Sequence, residues 1–176
     1  MKWTIDEQDF SWRLAEASDL DSVLSLLQQA GRWLQTKNTT QWDYYVTDLQ
    51  GNTAEVKESI NRHHTYILES GRKAIASITL DDSPSEWDYS IWGEKAIEVP
   101  ALYVHRMVVH RDYAGKNIGG RLMEWAREVA KEKGKKCIRF DCLASNSGLN
   151  QYYQKRYRRV GIANVYGQHS KYEISL

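Results

Sequence analysis

The chain has 176 residues, enough for one domain with a single sizeable core, and its formal net charge of +1 offers no global attraction to nucleic acid or to an anionic membrane. Basic runs between Arg127 and Lys136 and between Lys155 and Arg159 sit on or just after predicted helices and read as solvated faces. No stretch approaches the ~20 apolar residues of a membrane helix, and the start MKWTIDEQDF lacks a signal-peptide core, so a soluble, cytoplasmic protein is expected.

The first predicted strand runs from Ser11 to Ala15. Ser18 then opens a helix: Asp21 lies at a capping-box spacing, and Leu20, Val23, Leu24 and Leu27 form a stripe at helical intervals. Gly31 weakens that pattern, and residues 32–49 are polar and aromatic. A second helix begins at Asn52 or Thr53. Thr65–Glu69 and Lys73–Leu80 form a hairpin across Ser70-Gly71-Arg72. Residues 81–100 make an acidic, Trp-containing excursion, and long connections of that kind are often functional. Ala101–Val109 is a third β run. Ile118–Lys133 is the clearest helix, with Ile118, Leu122, Trp125, Ala126 and Val129 on one face and Gly134 as its stop. Cys137–Ala144 alternates as a strand, Ser147–Tyr157 is a short helix, and 160–176 closes as a hairpin centred on Gly167. Cys137 and Cys142, the only cysteines, are five apart on one strand and point to opposite faces, which disfavours a disulfide or a metal pair.

Between the third β run and the helix after it lies RDYAGKNIGGRLMEW. A strand, a glycine-bearing turn and a helix start aim backbone N–H groups and the positive end of the helix dipole at one spot, where an anion such as a pyrophosphate can sit. The nucleoside-triphosphate loop is excluded, because Gly119-Gly120 is followed by Arg121 without Lys-Ser/Thr. The dinucleotide fingerprint is excluded by its glycine spacing.

Residues 102–157 resemble the GNAT superfamily of N-acetyltransferases. The family pattern is a strand, Gln/Arg-x-x-Gly-x-Gly/Ala opening a helix, a second strand, and an Asn followed seven residues later by a Tyr. Gly119 matches the last glycine. Ala114 stands at the Gln/Arg position and Asn117 at the first glycine, and both are departures. Asn is the non-glycine residue best able to take a left-handed backbone, so the loop keeps its shape. CLASNSGLNQYYQKRY supplies Asn146 and, seven residues on, Tyr153, with Tyr157 where the family has Gly.

The resemblance implies a mixed α/β fold: one N-acetyltransferase domain over residues 1–176, with a central, mostly antiparallel twisted sheet flanked by helices. It implies acetyl-coenzyme A as co-substrate. Ala114, Gly115, Lys116, Asn117, Ile118, Gly119 and Gly120 would hold the pyrophosphate, and backbone groups of Met107, Val108 and Val109, with Asn146, the pantetheine arm. Tyr153, with an ordinary phenol pKa of ~10, would be the acid for the departing thiolate. For the base, His105 lies on the third β run near the proposed thioester site, and imidazole titrates near neutrality; Asp141, Glu98 or a water chain are its rivals. The acceptor is a primary amine of a small molecule or peptide. Trp33, Trp42, Tyr44 and the Trp87–Trp92 segment could wall its pocket, since aromatic faces suit a cation. No nucleic acid or membrane partner is expected, and a homodimer is left open. The alternative readings are a non-catalytic acyl-coenzyme A sensor and a protein-interaction module.

Overall fold

The computed structural model describes residues 2–5 and 7–176. Its strands are β1 (Lys2–Ile5), β2 (Gln8–Leu14), β3 (Thr65–Ser70), β4 (Lys73–Asp81), β5 (Ala101–Val109), β6 (Cys137–Leu143), β7 (Arg158–Asn164) and β8 (Gln168–Ser175). Its helices are α1 (Leu20–Gln35), α2 (Tyr44–Thr47), α3 (Thr53–Asn61), α4 (Glu86–Trp92), α5 (Lys95–Glu98), α6 (Ile118–Glu132) and α7 (Ser147–Gln154). The strands follow the order β1-β2-β3-β4-β5-β6-β8-β7 in one sheet. Pairing is antiparallel from β1 through β4 and among β6, β8 and β7, while β5 and β6 are parallel. The expected mixed α/β fold with a mostly antiparallel sheet is what forms. No helix among the described residues is long and apolar enough to cross a membrane.

The chain divides into two compact units. The first comprises Met1–Leu34, Trp42–Thr79 and Arg106–Leu122. Its core gathers Val23, Leu24 and Leu27 of α1 with Val56 and Ile60 of α3, Ile67 of β3 and Val108 of β5. Leu27 and Val56 are fully buried, and each such side chain contributes about 1.5–3 kcal/mol relative to exposure. The predicted α1 stripe is thus the stripe that packs. Its start differs from expectation: a short 3₁₀ turn over Ala17–Asp19 precedes α1, and Asp19, not Asp21, closes the cap by accepting the Glu16 N–H at 2.7 Å. Asp19 takes that place because Arg13 of β2 pins it at 2.7 Å while also bonding Glu69 of β3 at 2.7 Å. These hydrogen bonds raise the Arg13 guanidinium above its ordinary value and hold the Asp19 carboxyl below its own. Gly31 does not end α1. A Cβ there would lie 2.8 Å from the Trp42 carbonyl oxygen, so glycine permits a close approach of the following segment. Strand β1, absent from the sequence reading, pairs with β2 from Lys2↔Ser11 to Ile5↔Gln8.

The second unit comprises Gln35–Gln41, Leu80–His105 and Met123–Leu176. Its strand β6 is buried on both faces and pairs with β5 over Ala101–Tyr103 and with β8 along its whole length. The excursion expected at residues 81–100 contains α4 and α5. Ser85 caps α4, with its hydroxyl accepting from the Asp88 N–H and the Asp88 carboxylate accepting from the Ser85 N–H. Ile91, Trp92 and Ala96 of these helices pack on Ala101, Tyr103 and Cys137. α7 ends at Gln154 instead of the expected Tyr157. The Tyr157 ring turns edge-on to Phe140 at 5.7 Å, and the β7–β8 ladder begins one residue later at Arg158↔Glu173. Both cysteines are buried free thiols.

Candidate active site

In the first unit, β5 leads into a 3₁₀ turn over Arg111–Tyr113 and then into the predicted glycine turn. Gly115 has φ +83° and Asn117 φ +55°, so Asn117 adopts the left-handed backbone that its residue type predicts. The first helical bond of α6 runs from the Arg121 N–H to the Asn117 carbonyl at 3.1 Å. The amides of Ile118, Gly119 and Gly120 therefore precede any intrahelical acceptor and stand at the positive end of the helix dipole. A Cβ on Gly119 would meet nothing within 4 Å, whereas one on Gly120 would lie 2.4 Å from Asn117 Oδ1. Gly119 thus keeps a cradle open, and Gly120 makes room for the side chain that shapes the turn. Ala114 and Gly115 are exposed, and Lys116 is half-buried. Met107 and Val109 are half-buried, while Val108 points into the core. The turn is braced from below: Gln29 of α1 accepts the Arg111 N–H at 2.9 Å, and the Arg111 guanidinium lies 3.6 Å over the Trp33 ring. Trp33 thus packs against this turn.

In the second unit, Asn146 caps α7, its Oδ1 accepting from the Leu149 N–H at 3.3 Å. Its Nδ2 is buried with no hydrogen-bond partner among the described residues, an orphan donor of the kind that an amide carbonyl on a bound ligand satisfies. Asn150 fixes this junction by donating to the carbonyls of Leu143 and Asn146, both at 2.9 Å, and accepting from the Tyr172 hydroxyl at 2.7 Å. Tyr153 sits on α7 with its ring edge-on to Phe140 at 4.9 Å and to Tyr172 at 5.2 Å. Among the described residues no group hydrogen-bonds its hydroxyl. Burial, followed by the neighbouring Cys142, pushes the Tyr153 phenol well above its ordinary value, so the expectation of a normal phenol is corrected.

The alternation of β6 separates two chemistries. Phe140 and Cys142 face α7 and Tyr153; Arg139 and Asp141 face α4 and α5. On this second face α4 collects two imidazole–carboxylate pairs. His105 Nε2 lies 3.1 Å from Asp88 Oδ2 and 3.5 Å from Asp81 Oδ2. His169 of β8, which the sequence reading did not single out, places Nδ1 3.0 Å from Asp141 Oδ2. Trp87 Nε1 donates to the other Asp141 oxygen at 3.1 Å, and its ring stands edge-on to His169 at 4.9 Å. Trp87 is thus a wall of this face, whereas Trp92 is core, with the Arg139 guanidinium 4.6 Å over its ring. Trp42 packs on the first unit's core and edge-on to Tyr45. Glu98 is exposed at the end of α5.

Residues 27–157 match the acetyltransferase (GNAT) family. The uncharacterized N-acetyltransferase YesJ of Bacillus subtilis (strain 168) is 31% identical over 153 residues, 86% of this chain and 82% of that protein. The crystal structure of a GNAT-family acetyltransferase from Listeria monocytogenes 4b F2365 superposes with a TM-score of 0.81 at 26% identity, covering 100% of both chains. The PaiA N-acetyltransferase from Thermoplasma acidophilum, solved in complex with coenzyme A, has a TM-score of 0.71 at 16% identity, covering 95% of this chain and 99% of that one. The chain therefore belongs to the GNAT family of acetyltransferases.

Proposed function

We propose that the chain transfers the acetyl group of acetyl-coenzyme A directly to the primary amine of a small molecule or peptide. The residues from Ala114 to Gly120 hold the pyrophosphate through the free amides of the α6 start, without needing the Arg that this loop lacks. Backbone groups of Met107, Val108 and Val109 and the orphan Nδ2 of Asn146 take the pantetheine arm. Bound acetyl-coenzyme A supplies an acetyl carbonyl activated by its thioester. An N–H of the Met107–Val109 stretch stabilises the oxygen as it gains charge.

Tyr153 stands ready to give a proton to the departing sulfur. Its raised pKa means that it does so only while its oxygen is resupplied with a proton, so it works as a relay and never accumulates as phenolate. The acceptor amine belongs to the face of the second unit where Asp81, Asp88 and Asp141 favour an ammonium and Trp87 offers a ring. His105 and His169 are the imidazoles of that face.

The observation that carries this reading is the separation along β6, with a phenol on one face and imidazole–carboxylate pairs on the other. Thiol release from acetyl-coenzyme A, measured across amines that differ in charge, tests it. Turnover is expected with cationic amines such as diamines and weaker turnover with amines that carry a carboxylate. Binding of acetyl-coenzyme A without turnover on any amine would overturn the proposal.

A further inference from the structure

We propose that His169, held by Asp141, is the general base that takes the proton of the acceptor amine. The inference deepens the reading just given and rests on it for the identity of the reaction.

Asp141 is fixed at both oxygens, one by the Trp87 indole N–H at 3.1 Å and the other by His169 Nδ1 at 3.0 Å. A carboxylate only accepts, so Nδ1 carries the hydrogen and the neutral ring keeps its lone pair on Nε2. Among the described residues nothing hydrogen-bonds that Nε2, although the side chain is only 9% exposed. A buried, oriented imidazole with one unused nitrogen is what abstraction of a proton requires.

The other imidazole of this face is built differently. His105 turns Nε2 toward two carboxylates, Asp88 and Asp81, so that nitrogen donates. His105 Nε2 stands between two carboxylates, whereas His169 has one carboxylate on Nδ1 and the Trp87 ring beside it. The groups facing His169 are Asp141 from β6, Trp87 from α4, Ala163 opposite it on β7 and Lys171 two residues along β8 on the same face. Of these only Asp141 and Lys171 are charged, and the Lys171 Nζ lies 5.3 Å over the Trp92 ring.

The protons balance. His169 Nε2 takes one from the ammonium and becomes imidazolium, which Asp141 stabilises. The neutral nitrogen forms the C–N bond to the acetyl carbon, and the C–S bond breaks. Tyr153 gives its hydroxyl proton to the sulfur and recovers one from water, to which the attacking nitrogen loses its second proton. His169 releases its proton to water, leaving amide and thiol.

Two measurements test this, on full-length His169→Gln and Asp141→Asn beside the wild type. Imidazole nitrogen NMR is expected to show neutral His169 protonated on Nδ1 in the wild type, and to show that preference lost in Asp141→Asn. A wild-type ring protonated on Nε2 overturns the proposal, whatever the amine. In thiol release with putrescine and benzylamine as acceptors, His169→Gln should lose about 10²–10⁴-fold in kcat/KM at neutral pH. It should also lose the acidic limb of the pH profile while keeping the melting shift given by coenzyme A. Asp141→Asn should lower kcat through His169 and, because it also removes one of the carboxylates that favour the ammonium, raise KM for the amine. A His169→Gln enzyme within threefold of wild type, or one that keeps the limb, overturns the assignment. Absence of wild-type turnover on every amine would count against acetyl transfer to an amine, and the tautomer measurement would then decide the dyad.

Discussion

Replacing Tyr153 with Phe removes one oxygen from a ring whose packing against Phe140 and Tyr172 is unchanged by the substitution. No described residue hydrogen-bonds that oxygen, so no partner is left stranded. The folded protein should therefore hold its melting temperature, since the substitution breaks no hydrogen bond within the fold. Turnover should fall about 10²–10⁴-fold, the usual contribution of a positioned proton donor, equivalent to ~2.7–5.4 kcal/mol of barrier. Tyr172→Phe is the matched control from the same cluster. Its hydroxyl donates to Asn150 Oδ1 at 2.7 Å in a buried site, so its loss should cost about 1–3 kcal/mol. For a chain of this size that is roughly 2–12 °C in melting temperature. The assay is thiol release at saturating acetyl-coenzyme A, with thermal melts of both variants. The reverse pattern, an unstable Tyr153→Phe with normal turnover, would refute the relay and make Tyr153 a packing residue.

Other consequences are open to measurement. Coenzyme A at 100 times its dissociation constant should stabilise the fold by ~2.7 kcal/mol, and Gly119→Glu should abolish that shift by filling the open cradle with a negative charge, while leaving the unliganded melt unchanged. Asn146→Asp keeps the cap acceptor toward Leu149 but loses the orphan Nδ2, so coenzyme A affinity should drop by roughly the value of one hydrogen bond, about 0.5–1.5 kcal/mol. Asp19 has a folded-state pKa held down by Arg13, so its stabilising effect is present above the unfolded value near ~3.9 and is lost as pH falls through the folded value; Asp19→Asn should flatten the acid limb of the melting curve, and an unchanged limb would count against the pairing. Burial pushes the Cys137 thiol up to about 11 and the Cys142 thiol up to about 12, so native protein should resist iodoacetamide at pH 8 and denatured protein should take up two equivalents.

Local signals carried most of the fold. The α1 and α6 stripes, the Gly71 hairpin and the bounds of β5 follow from periodicity and turn chemistry, and these elements form where they were read. The glycine turn was legible because its backbone demands are local: Asn117 is left-handed, and Gly119 stays open. Strand β1 was not, since its four residues become a strand only by pairing with β2. The α4 helix was legible in principle, because Ser85 and Asp88 stand at capping-box spacing, yet the Trp-rich composition pointed to a loop. The His169–Asp141 pair was beyond reach. Its members lie 28 residues apart, and only the β6–β8 register brings them together.

The β6–β8 ladder runs unbroken from Cys137↔Ser175 to Leu143↔His169, and it assigns each chemical role by odd or even position. A slip of one residue would turn Asp141 toward the phenol and Phe140 toward the imidazole, exchanging every side chain between the two faces. The arrangement is therefore far more sensitive to length than to identity. Conservative replacements along these strands should cost packing energy by degrees, while a single inserted or deleted residue between Ala144 and Gly167 that reaches the ladder should abolish turnover even if the sheet still forms. Loop lengths in this region are thus under tighter constraint than the residues that fill them.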